Sequence, residues 1–143
     1  MKKVIVLALA LVFSQQLLAD AASEIAYRKA VMEVVGGHMK SIGTILRGKV
    51  HMEDLKFHAN GMKNVSVLVP NVFPEGSGEG KTEALPEIWE DAEDFQARLD
   101  EFLQASDEFA GVVNAGEMAK LGDAVKRLGG SCKGCHDSYK EDD

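Results

Sequence analysis

The chain has 143 residues, of which 45% are hydrophobic and 27% charged, with a formal net charge of −7. That is one domain's worth of chain and too little for two independent cores. The acidic balance excludes a nucleic-acid binder or an anionic-membrane binder held by charge, and it points any charged redox partner toward a basic face.

Lys2 and Lys3 precede an apolar run from Val4 to Phe13 that is too short to span a bilayer, the pattern of a secretory leader. Ala19-Asp20-Ala21 has the small-residue cleavage form, which places the signal peptide at 1–21 and the mature domain at 22–143. The expected location is therefore the periplasm. Losing Lys2, Lys3 and Asp20 takes the formal charge from −7 to −8. No later segment reads as transmembrane, so no membrane insertion is expected after cleavage.

Ile25, Arg28, Met32, Val35, Met39, Ile42 and Leu46 alternate by three and four, the spacing of one helical face, until Gly48 offers a stop. A weaker stripe follows at Leu55, Ala59, Met62, Ser66 and Val69, within a helix predicted from Met52 to Val69 that ends before Pro70. The stretch from Pro70 to Leu85 holds Pro70, Pro74, Gly76, Gly78 and Gly80 and reads as a long loop, either a solvated linker or a cover. A third helix is predicted just after Pro86, with its seam at Ile88, Ala92, Phe95, Leu99, Phe102, Ser106, Phe109 and Val113. The last seam runs through Met118, Leu121, Val125, Leu128, Cys132, Cys135 and Tyr139. Four helices with short connections and one longer crossover predict an all-α, antiparallel four-helix bundle, an architecture that builds cofactor sites in its core.

The only two cysteines stand in Cys132-Lys133-Gly134-Cys135-His136. Residues at i, i+3 and i+4 share one helical face, so the two thiols can form thioethers with haem vinyl groups while the imidazole reaches the iron. This predicts one covalent haem c, held by Cys132 and Cys135, with His136 as the axial ligand of its iron. A disulfide between residues three apart closes a loop too small to stabilise much. A zinc site would need further ligands from His38, His51 and His58 and has no second cysteine pair. A thioredoxin-like dithiol belongs beside a β-α-β pattern, and this pair lies late in the final helix of an all-helical chain.

The whole mature chain resembles the cytochrome c′ family. The resemblance rests on C-K-G-C-H-D-S-Y-K in the last helix, on Tyr27-Arg28-Lys29-Ala30-Val31-Met32 with Gly37-His38-Met39 in the first, and on Leu85-Pro86-Glu87-Ile88-Trp89 opening the third. It implies a high-spin, five-coordinate haem with an open, crowded pocket opposite the histidine, binding of nitric oxide and carbon monoxide, redox activity and a homodimer. Met32 matches the first-helix position over that open face, where a thioether either fills space or ligates the iron. A guanidinium on a bundle seam needs a partner, so Arg28 is read as pairing with a haem propionate or else snorkelling from a helix end.

Lys29 stands where the family often has a glutamine that reaches a propionate, and Glu83 matches a position near the propionate edge, where it could also cap the third helix. Lys140 stands where the family usually has arginine, and an ammonium does not hydrogen-bond as a planar guanidinium does. His38, His51 and His58 read as surface or interface residues, and Phe73 and Trp89 as packing over the haem edge or in the core. Gly36, Gly37 and Gly43 would allow close approach in a dimer through the first two helices.

Two functions compete on these residues. A gas-binding haem protein leaves the site over Met32 vacant; a six-coordinate, low-spin electron carrier uses Met32 as the sixth ligand and meets a redox partner through the haem edge. No second ionisable constellation suits acid-base or nucleophilic work, so no enzyme activity is expected.

Overall fold

The apolar seams fold into α1 (Lys2–Gly48), α2 (Leu55–Ser66), the single turn α3 (Glu87–Glu90), α4 (Ala92–Ala115) and α5 (Leu121–Tyr139). They belong to a computed structural model that describes residues 2–141, with side chains from residue 20 onward. The signal peptide expected at 1–21 lies outside the described side chains apart from Asp20 and Ala21. Among the described residues no helix is long and apolar enough to cross a membrane.

The four long helices form the expected antiparallel bundle, with α1 packed on α2, α2 on α4 and α4 on α5. Its core runs from Ile42 and Met62 through Leu99 and Phe109 to Leu128. The ring of contacts is not closed, because α1 and α5 barely pack on each other. They converge near Gly129, where a Cβ would lie 3.6 Å from the Met39 methyl, and elsewhere stand apart across a cavity. This gap explains why the first seam is split. Ile25, Val31, Ile42 and Ile45 are buried in the core, whereas Met32, Val35 and Met39 are only half-buried and border the cavity.

Several helix boundaries differ from the sequence expectation. The predicted second helix is a short 3-10 turn at Met52–Asp54 leading into α2, and a second such turn over Val69–Asn71 takes in Pro70. The predicted third helix breaks at Asp91, whose φ of −118° and ψ of 56° separate α3 from α4. Met118, placed on the last seam, sits in a 3-10 turn and is exposed. Gly48 closes α1, but Lys49 and His51 are the residues that take the left-handed conformation there, with φ of 51° and 50°.

The 70–85 crossover is an ordered cover. Trp89 donates from Nε1 to the Phe73 carbonyl at 3.1 Å, and its ring lies so close to Gly78 that a Cβ there would meet Cζ3 at 2.8 Å. Phe73 packs edge-on against Phe95 with ring centres 5.0 Å apart, and Phe95 against Tyr139 at 5.0 Å, tying crossover, α4 and α5 together. The end of the crossover is clipped to the end of α5. Leu85 N donates to Tyr139 O at 3.1 Å, and Glu141 N to Glu83 O at 2.8 Å.

Candidate haem site

The helical spacing of the motif places Cys132, Cys135 and His136 on the side of α5 that faces the gap, so all three border the cavity, whose volume is about 330 Å³. The opposite wall is α1, contributing Met32, Val35 and Met39, and α4 closes the floor with Phe95, Leu99 and Phe102. Phe73 and Ala84 of the crossover form the rim. Trp89 does not reach the cavity; it braces the crossover behind Phe73.

The chemistry of the donors fits a covalently held haem. The two thiols are free and half-buried. Burial pushes the Cys132 thiol up, and burial with the neighbouring Cys132 pushes Cys135 up to about 11. A reactive dithiol draws its attacking thiol down instead. None of His38, His51 and His58 borders the cavity, so the side chains a zinc site would need are not beside the thiols. Burial, then the Lys140 ammonium, lowers the His136 imidazole from its ordinary value, which keeps it in the neutral form that ligates iron. An apolar slot with two thiols and one imidazole on the same wall is a c-type haem site.

Arg28 borders the cavity, and its fork is also engaged by the protein itself. Only 4% exposed, it reaches the crossover. Nη1 donates to Val72 O at 3.3 Å and Ser77 Oγ at 2.8 Å, and Nη2 to Ser77 O and Thr82 Oγ1, each at 2.8 Å. The guanidinium also lies 5.1 Å from the centre of the Phe73 ring. These neutral acceptors account for the burial of the fork, so Arg28 holds the cover in place whatever else it meets at the cavity edge. Burial lowers its pKa from the ordinary value.

Lys29 and Glu83 border the cavity as exposed residues. Glu83 pairs with Lys140 at 3.1 Å, a contact that draws two separately chosen residues into one rim feature beside His136.

Sequence reasoning missed the polar group behind the cysteines. Tyr139, buried at the end of the last seam, donates from its hydroxyl to Asp94 Oδ2 at 2.7 Å, and Arg98 Nε donates to the same oxygen at 3.3 Å. Arg98 itself borders the cavity. The Tyr139 hydrogen bond, then Arg98, holds the Asp94 carboxyl below its ordinary value, and burial and Asp94 push the Tyr139 hydroxyl up to about 12. A tyrosine ending an apolar seam was the available signal, since a buried phenol needs a partner.

Fold and site together define a haem protein of the c type built on a four-helix bundle. Residues 23–140 match the family model described as Cytochrome C′. Over 117 residues the chain is 35% identical to cytochrome c′ of Pararhodospirillum photometricum, covering 80% of this chain and 94% of that protein. Cytochrome c prime from Shewanella frigidimarina superposes with a TM-score of 0.81 at 31% identity, over 85% of this chain and 97% of that one. A ferrous variant of the Alcaligenes xylosoxidans protein with bound NO superposes with a TM-score of 0.78 at 27% identity, over 86% and 97% of the two chains.

The chain belongs to the cytochrome c′ family, and as a member it carries a covalently attached haem c.

Proposed function

We propose that the protein is a periplasmic haem protein that binds diatomic gases such as nitric oxide and carbon monoxide on a five-coordinate, high-spin iron and is also capable of one-electron transfer. The observation that carries this reading is the composition of the α1 wall. Opposite the motif stand Met32, Val35 and Met39, apolar groups that admit small uncharged molecules and offer no hydrogen bond to larger polar ones. The haem supplies the iron that takes up the gas and the electron. His136 would hold the haem iron from the α5 wall, and Met32, across the cavity on α1, would pack without ligating it. The Alcaligenes xylosoxidans relative with NO bound supports the same use of this fold.

The roles of the other residues follow from where they stand. Lys29 and Glu83, with Arg28 behind them, mark the polar rim toward which the haem propionates would point, and the Glu83–Lys140 pair guards the same edge. Tyr27 and Val34 are exposed on α1, and nothing lies within 4 Å of a Cβ placed on Gly37, which supports a homodimer through α1, whereas Gly36 borders the cavity. The acidic surface suits a redox partner with a basic face.

Carbon monoxide tests the reading. The ferrous protein is expected to shift its absorption spectrum on adding the gas, and Met32→Ala is expected to bind it more tightly while staying high-spin beforehand. A ferrous spectrum with sharp low-spin bands that ignores carbon monoxide would instead establish the electron carrier with Met32 as sixth ligand.

A further inference from the structure

Away from the cavity, His38 of α1 and His58 of α2 face each other with their Nδ1 atoms 3.2 Å apart. The geometry points to a zinc-type binding site formed by these two imidazoles, an open chelate for a divalent late transition ion whose remaining positions are filled by solvent. The distance carries the argument. An ion about 2.0–2.1 Å from each nitrogen, the ordinary zinc–imidazole bond, would subtend an angle of about 100–105° across a 3.2 Å separation, close to the tetrahedral value.

The pair is held in place by its surroundings. Gly61 lies in the middle of α2, where glycine is a poor helix former. A Cβ on Gly61 would meet His38 Cε1 at 2.2 Å and Nε2 at 2.5 Å, so the missing side chain is the space the imidazole occupies. Phe57, itself exposed, lies edge-on to His58 with ring centres 5.3 Å apart and has its ring centre 6.3 Å from that of His38. Both histidines are half-buried and open to solvent on one side. Burial and the neighbouring His58 lower the His38 pKa, which favours the neutral, metal-ligating form. An imidazole–imidazole hydrogen bond alone would also account for the 3.2 Å contact, and zinc binding separates the two.

The test is calorimetric titration of the haem-loaded protein with zinc chloride. Saturable binding is expected in which a component of no more than one equivalent per chain is lost in His38→Gln and in His58→Gln but kept in His51→Gln. His51 is the control because it belongs to the separate surface cluster with Glu53 and Asp54. Gly61→Ala provides a variant that retains both imidazoles. Alanine favours the helix, yet its methyl group displaces the His38 ring, so weakened zinc binding is expected from a helix no less stable. Absence of saturable binding in the unaltered protein would overturn the site, as would binding whose affinity and stoichiometry are undiminished in the double His38→Gln, His58→Gln variant or unchanged in Gly61→Ala.

Discussion

On α5 the cavity wall is a compact set of reactive groups, Cys132, Cys135 and His136, whereas on α1 it is a row of inert ones, Met32, Val35 and Met39, backed by a cover that Arg28 ties down. The α5 wall determines what is bound, and the spacing of one helix suffices to build it. On the proposed reading the α1 wall sets what reaches the iron, and the cavity it faces exists only because α1 and α5 are held apart rather than packed together. The difference teaches that attachment is a local property here and access a tertiary one.

The largest expected effect breaks the α5 wall. Replacing Cys132 and Cys135 together by alanine abolishes covalent attachment, so haem staining of the denatured protein on a gel disappears. Next is the support of the α1 side. Arg28→Ala removes four hydrogen bonds from buried or partly buried acceptors and is expected to destabilise the fold by about 3 kcal/mol in denaturant unfolding, and Arg28→Lys to recover little, since an ammonium cannot span the same fork.

Tyr139→Phe, which touches the frame of α5 without touching its reactive groups, is expected to cost about 1 kcal/mol. It also flattens the pH dependence of stability. Tyr139 is raised, so its contribution is complete below its ordinary value of 10.0 and is lost as pH rises from there to about 12. Asp94 is lowered, so its contribution is present above 3.8 and is lost as pH falls through the depressed value. Both arms shrink in the variant.

The smallest effect has the opposite sign. Ser106, fully buried on the α4 seam, has a hydroxyl with no hydrogen-bond partner among the described residues, and Ser106→Ala is expected to raise stability by about 1 kcal/mol, read by thermal unfolding.

The same contrast governs what could be read from the sequence. Cys132, Cys135 and His136 were legible because their chemistry depends on spacing within five residues. The bundle was legible because its seams repeat within each helix. Arg28 was singled out as a charge needing a partner, but its acceptors Ser77 and Thr82 lie 49 and 54 positions away in a loop without periodicity. The Tyr139–Asp94 bond joins residues 45 apart, and no local pattern announces it. The break at Asp91 escaped for a different reason: the apolar spacing from Ile88 to Phe95 continues across it, so periodicity reads through a kink that the backbone makes.

The central claim is that the α1 wall leaves the iron open. Magnetic circular dichroism of the ferrous protein, recorded before any gas is added, tests it most directly. A high-spin, five-coordinate signature is the predicted result, and a low-spin signature that Met32→Ala converts to high-spin would contradict it.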